Sequence, residues 1–243
     1  MDQQTMFWEY MMKEMDNLEN IPLSTVIQEA GGAQHVHLVL VDILKGFCET
    51  GALSSKRVSE VIEPVKNLAE SLLEKGMPTR NLLFLQDDHP VDAPEFASFP
   101  PHCVHGTEET EIVEPLRPLL ETQGAELYTK NATSGLFAVN QNNRRFFDEL
   151  EERMKNEAAT FLVVGDCTDL CIYQNAMGIR MLANEKNLKN VRVMVSKTHS
   201  QTYHLSVEDA RSSGAMAHDG DVMDTVFFYH MKLNGIEVYR NWV

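Results

Sequence analysis

Six short, mostly apolar runs, each followed by a stretch of different periodicity, restrict this chain to few architectures. The runs are His37 to Val41, Leu82 to Leu85, Glu126 to Tyr128, Phe161 to Gly165, Val191 to Val195 and Ile236 to Tyr239. Each is too short for a buried helix and the right length for a buried strand. Between them lie segments with apolar residues three and four apart. Arg57 to Lys75 carries Val58, Val61, Ile62, Val65, Leu68, Leu72 and Leu73 and stops at Gly76; Ile112 to Thr122, Arg145 to Asn156, Cys171 onward and Val207 to Met231 read the same way. Strand and helix in alternation predict an α/β fold: one doubly wound domain over residues 34–243, with a six-stranded parallel sheet flanked by helices. Residues 1–33 form an N-terminal helical extension, whose Met6, Phe7, Tyr10, Met11 and Met15 share a face that packs on the body or on a second subunit.

Charge narrows the partners. The 243 residues hold 21 basic and 36 acidic side chains, a net charge of −15, which repels nucleic acid and anionic membranes. The N-terminus has no cationic and apolar leader, and the longest apolar runs are far too short to span a bilayer. Four cysteines in a chain of this size do not form a disulfide framework, so free thiols in a reducing, cytoplasmic setting are expected. There is no G-x-G-x-x-G, P-loop or G-x-S-x-G pattern.

In an open parallel sheet, ligands gather beyond the carboxyl ends of the strands. Those ends carry chemistry here. The first run ends at Asp42, the second at Asp87 and His89, the third at Lys130, and the fourth turns through Cys167 into Cys171. A carboxylate, an ammonium and a thiol on separate strand ends make a base, a charge stabiliser and a nucleophile. Taken singly, Asp42 reads as a turn cap, Lys130 as a surface lysine and Cys171 as a buried thiol. The position of Cys171 at a strand-to-helix turn predicts a lowered thiol pKa. A second constellation is Asp87-Asp-His89-Pro with Pro101-His102-Cys-Val-His105. Asp87 and His89 point the same way in extended backbone, and a further imidazole would complete a three-ligand metal site with open positions. Glu95, Cys103 and His105 compete for that set. His199 and His204 are either rim residues or solvated loop histidines.

These blocks, with Leu38-Val-Leu-Val-Asp42-Ile-Leu-Lys-Gly-Phe47-Cys, Phe99-Pro-Pro-His102 and Gly165-Asp-Cys-Thr-Asp-Leu-Cys171, resemble the isochorismatase-like cysteine hydrolases, and within them the nicotinamidases. The resemblance covers roughly residues 35–240. It implies a triad of Asp42, Lys130 and Cys171, and a cis peptide before Cys167 that presents the backbone N–H groups of Cys167 and Cys171 as an oxyanion hole. It implies a divalent metal, zinc before iron or manganese, on Asp87, His89 and His102, holding the substrate's ring nitrogen, with Phe47 and Phe99 sandwiching a flat ring. The implied reaction is hydrolysis of nicotinamide to nicotinate and ammonia through a cysteine thioester, by a homo-oligomer acting on a small amide. Two alternatives stand beside it: a metal-independent amidase acting on another small or carbamoyl amide, and a catalytically silent binding protein on the same fold. Three features depart from the family pattern and are expected to reshape the pocket: Asp88 between the metal ligands, Leu44 and Gly46 after Asp42, and a longer loop from Pro90 to Phe99.

Overall fold

The computed structural model describes residues 2–155 and 158–243. Its elements, in chain order, are α1 (Gln3–Asp16), α2 (Leu23–Glu29), β1 (Val36–Val41), α3 (Ile62–Glu74), β2 (Leu82–Asp87), β3 (Glu126–Lys130), α4 (Phe146–Met154), β4 (Ala159–Asp166), α5 (Tyr173–Glu185), β5 (Val191–Ser196), α6 (Val207–Ser213), α7 (Gly220–Leu233) and β6 (Glu237–Tyr239). The six strands are parallel and lie in the order β3-β2-β1-β4-β5-β6. A two-residue strand, Val139–Asn140, adds an antiparallel edge beside β3, and Ser200–Gln201 pairs with the end of β4. The order reverses direction between β1 and β4, which opens a crevice beyond their carboxyl ends.

β1 and β4 are buried along their whole length, as central parallel strands must be when helices cover both faces. Their side chains alternate between two cores. Leu38, Leu40, Leu162 and Val164 meet α2 and α3 through Val26, Val65, Leu68 and Leu72. Val39, Val41, Phe161 and Val163 meet α4, α5 and α7 through Phe146, Leu150, Ile179 and Phe228. The expected α/β architecture is present.

Several helices differ from the periodicity reading. The segment from Arg57 breaks into Lys56–Ser59 and α3, because Pro64 fits only the first turn of a helix. The Ile112 to Thr122 segment reduces to a 3-10 turn, Glu114–Leu116, and a short helix, Arg117–Leu120; Pro115 and Pro118 remove the donors a longer helix needs. The last helical region divides into α6 and α7, since Gly214 closes α6 at φ 74°. α4 has the expected phase, and its expected end at Asn156 lies outside the described residues. α2 lies within the helical extension expected over residues 1–33 and buries Leu23 and Val26, with Ile27 partly buried against the same core.

The N-terminal extension is tied to the other end of the chain. Phe7 and Tyr10 of α1 meet Tyr229 of α7 edge-on, at 5.8 and 6.4 Å between ring centroids. Asn20–Ile21 pairs in parallel with Asn241–Trp242, and the Arg240 guanidinium donates to the carbonyls of Asp16 and Leu18. α1 therefore packs on its own chain. Among the described residues no helix is long and apolar enough to cross a membrane.

Candidate active site

The carboxyl ends of four strands converge. Val41 pairs with Gly165 in the β1–β4 register, and Asp87 pairs with Lys130 in the β2–β3 register. Gly165 makes the first approach possible: it sits at φ 122°, and a Cβ there would lie 2.0 Å from the Val41 carbonyl oxygen. Immediately afterwards Asp42 turns into the left-handed region at φ 54°. Its Oδ1 accepts the Asp87 backbone N–H at 2.9 Å, which ties the two strand ends together.

Lys130 is fully buried, with its Nζ 2.7 Å from Asp42 Oδ2, 2.5 Å from Asp87 Oδ1 and 3.7 Å from Cys171 Sγ. Burial works against its charge, but Asp42, Asp87 and Cys171 outweigh that and hold its pKa well above the ordinary lysine value. Asp87 also feels burial, yet Lys130 and His89 hold its carboxylate below the usual range. Asp42 goes the other way. Burial first, then the neighbouring charge of Asp87, push it up to about 6 against the pull of Lys130. One cation thus stands between two carboxylates of different basicity.

Cys171 lies in a π-helical turn, Thr168–Ile172, that leads into α5. Its thiol moves opposite to the sequence expectation. Burial raises its pKa, Lys130 pulls it down, and Asp42 and Asp87 raise it again, leaving it well above the ordinary value. The dipole at the start of a helix is a partial charge, whereas burial and two carboxylates act on the sulfur directly. Cys171 rests as a thiol, within reach of a base whose affinity for a proton is raised. The Asp166–Cys167 peptide is cis, as the resemblance implied. Asn175, which sequence reasoning missed, locks this turn: its Nδ2 donates to the Cys171 carbonyl at 2.8 Å, and its Oδ1 accepts the Gly135 N–H at 2.8 Å.

The second constellation also assembles. Ligand atoms of Asp87, His89 and His102 lie within 4.8 Å of one another, and all three residues are buried. His89 Nδ1 donates to Asn131 Oδ1 at 2.7 Å and His102 Nδ1 donates to the Pro100 carbonyl at 2.9 Å. In their neutral form, both rings would then carry the lone pair on Nε2. His89 Nε2 has no hydrogen-bond partner among the described residues, and its nearest carboxylate oxygen, Asp87 Oδ2, is 3.6 Å away. The donor set and the orphaned nitrogen fit a divalent ion. Of the competing residues, His105 points outward and pairs with Asp88 at 2.9 Å, and the Cys103 sulfur faces Gly46 and the Glu109 carbonyl. Glu95 stays close, 4.0 Å from His102 Nε2.

A cleft joins the two constellations, lined by Phe47, Leu53, Asp87, Glu95, Phe99, His102, Thr133, Asp166, Cys167, Leu170, Cys171 and Tyr203. Phe47 and Phe99 flank His102, with centroids at 5.5 and 6.3 Å. His199 and His204 are not part of the lining: His199 stacks on Trp242 at 4.9 Å, and His204 accepts the Gly220 N–H. Tyr203, between them, takes the place. Leu44, Gly46 and Asp88 are also absent from the lining. Leu44 bridges to Ile112, and a Cβ on Gly46 would meet the Cys103 sulfur at 2.8 Å, so these departures answer to packing. Asp166 and Tyr203 line the cleft without having been singled out.

A doubly wound sheet gathers a thiol, an ammonium and carboxylates at its switch point, groups whose chemistry suits a nucleophile, a charge stabiliser and a base. The isochorismatase domain family matches residues 36–211, and the chain belongs to that family. It is 30% identical over 213 residues to Nicotinamidase 1 of Arabidopsis thaliana, covering 84% of each chain. Among solved structures it resembles the pyrazinamidase/nicotinamidase of Streptococcus mutans (TM-score 0.63, 17% identity, 84% of this chain and 99% of that one). It also resembles the N-carbamoylsarcosine amidase of Thermoplasma acidophilum (TM-score 0.57, 20% identity, 84% of this chain and 95% of that one).

Proposed function

We propose that this protein is a cysteine amidohydrolase acting on a small primary amide, foremost nicotinamide, which it converts to nicotinate and ammonia. The observation that carries the reading is the buried Lys130 ammonium, 2.7 Å from Asp42 and 3.7 Å from the Cys171 sulfur. In the proposed path Asp42 takes the thiol proton, and Lys130 offsets the charge that appears on sulfur. The sulfur then attacks the amide carbonyl carbon, and the backbone N–H groups of Cys167 and Cys171 receive the oxyanion. Asp42 returns its proton to the nitrogen as the C–N bond breaks and ammonia leaves. Water, deprotonated by Asp42, hydrolyses the thioester and restores the thiol.

Asp87, His89 and His102 would hold a divalent ion, with zinc suited to two imidazoles and a carboxylate. Such an ion supplies a Lewis-acidic point for a ring nitrogen. Asn131 and the Pro100 carbonyl orient the two imidazoles, and Phe47 and Phe99 present flat apolar surface to a ring. The metal-independent alternative leaves the Nε2 lone pairs of His89 and His102 without a use. A silent binding protein would have no need of a buried Lys130 shared between Asp42 and Asp87.

The test is ammonia release from nicotinamide, pyrazinamide and carbamoyl amides, with metal content measured on the same preparation. Turnover of nicotinamide by a preparation holding about one divalent ion per chain supports the reading. Turnover confined to carbamoyl amides without metal contradicts it.

A further inference from the structure

Beyond the triad and the metal ligands, one buried group in the cleft is left over. Asp166 is 1% exposed, and neither of its carboxyl oxygens has a hydrogen-bond partner among the described residues. It belongs to neither group of ligand atoms that could hold a metal. A buried carboxyl without a partner is costly, and in a native protein such a group marks strain, an absent partner or a functional role. The alternation of β4 sharpens the anomaly. Leu162 and Val164 face the same core as Phe47 and Cys167, and position 166 continues that face, where a further apolar residue would be expected. Instead the strand ends in an acid that lines the cleft together with Cys171, Phe47 and Tyr203.

We propose that the Asp166 carboxyl is a specificity-determining group that accepts a hydrogen bond from an N–H or O–H the substrate carries in addition to its scissile carboxamide. The proposal rests on the amide-hydrolase reading and ranks the amides within it: nicotinamide is accepted, and a ring amide bearing a second donor, such as an amino or hydroxyl substituent, is preferred. Three observations support it. Asp166 sits at the switch-point crevice, one residue past the Val41–Gly165 pairing that positions Asp42. Asp87 and Glu95 line the same cleft, and Asp87 is already paired with the Lys130 ammonium, which leaves Asp166 as the lining acid without a partner among the described residues. Burial, and then Asp42 and Asp87, hold the Asp166 pKa well above the ordinary value. A neutral carboxyl still offers its carbonyl oxygen as acceptor, without charge repulsion toward the neighbouring acids. A buried acceptor favours the ligand that supplies a donor over the analogue that lacks one, because with the latter its own group stays unpaired.

Matched pairs of ring-amino and ring-methyl nicotinamides test this, since amino and methyl groups are similar in size. Their dissociation constants are measured calorimetrically on Cys171→Ala protein, and kcat/KM on protein with Cys171 intact, each with Asp166, Asp166→Asn and Asp166→Leu. The expected result is an amino-over-methyl preference of about tenfold or more at one ring position with Asp166. Asp166→Asn, which keeps a carbonyl acceptor, preserves it to within about threefold, and Asp166→Leu abolishes it. Asp166→Leu should also melt at a higher temperature, because an unpartnered buried carboxyl has been removed. If Asp166→Leu does not fold, Asp166→Val takes its place. No preference at any position, or the same preference after Asp166→Leu, overturns the proposal. Preferential binding that depends on Asp166, with no ammonia released by intact protein, would uphold the proposal and refute the amidase reading. Ammonia release with no dependence on Asp166 would do the reverse.

Discussion

At the amino end of the sheet Arg153 reaches in from α4 and donates to Asn81 Oδ1 at 2.9 Å and to the Arg80 carbonyl at 2.7 Å, while pairing with Glu149 at 2.7 Å. Asn81 in turn caps the carbonyls of Gln34 and Val36, and His37 stacks on Phe161 with Nδ1 accepting from Arg153. At the carboxyl end, one strand length away, Asp42, Asp87 and Cys171 surround the Lys130 ammonium, and among the described residues His89 Nε2 and both Asp166 oxygens have no hydrogen-bond partner. Both ends bury charge. One pairs its charges within the protein, and the other keeps polar atoms without hydrogen-bond partners among the described residues, beside a cleft that Asp87, Asp166 and Cys171 line. A closed buried network specifies structure, whereas open valence in a cavity is available to a substrate or an ion.

The contrast can be broken by substitution. Lys130→Met should lower kcat/KM for the amide by roughly a thousandfold, because the charge stabiliser at the sulfur is lost. Steady-state kinetics on protein shown to be folded by circular dichroism would check it, and a loss below tenfold would remove Lys130 from the chemistry. Arg153→Met should instead destabilise the fold by ~3 kcal/mol, the effect of breaking a buried ion pair. Urea unfolding would show this, with kcat/KM per folded molecule unchanged. If Arg153→Met lost activity and kept its stability, the two ends would not be divided as described.

Smaller effects sharpen the same division. Asn131→Ala frees the His89 ring from its hydrogen bond and should weaken metal affinity by about 10–100-fold, as loss of an orienting partner does. Competition with a chromophoric chelator would measure it. The gentlest change is with pH. Burial, then Arg153, depress the His37 pKa from 6.5 to about 3, and burial depresses that of His199 to about 4. The unfolded chain therefore takes up protons first as pH falls. Stability present above the unfolded value near 6.5 is lost toward pH 4, by about 1.4 kcal/mol per pH unit for each histidine. His37→Gln should flatten this slope in unfolding measured at pH 6.5, 5.5 and 4.5.

Much of this division was legible from the residues. Each buried parallel strand is a short apolar run ending in a reactive side chain, so the ends of the first four strands announced Asp42, Asp87, Lys130 and the Cys167–Cys171 turn. The spacing of Asp87 and His89 carried their common direction. The direction of the Cys171 pKa was not legible, because it depends on how many carboxylates the fold brings to the sulfur and how deeply it buries them. Gly46 and Leu44 looked like pocket changes, yet they answer to Cys103 and Ile112, contacts set by long-range packing. Asp166 left a local signal. Leu162, Val164 and Asp166 share a period of two, and the acid at the third position was already an anomaly in the strand.

The central claim is that the Cys171 sulfur forms a covalent acyl intermediate at the open end of the sheet. Protein quenched in acid during turnover of nicotinamide, then digested and weighed by mass spectrometry, tests it most directly. The account predicts a nicotinoyl thioester on the peptide carrying Cys171, with Cys48, Cys103 and Cys167 unmodified and no adduct in Cys171→Ala protein. Sustained ammonia release by Cys171→Ala protein, or an acyl group on another residue, would contradict it.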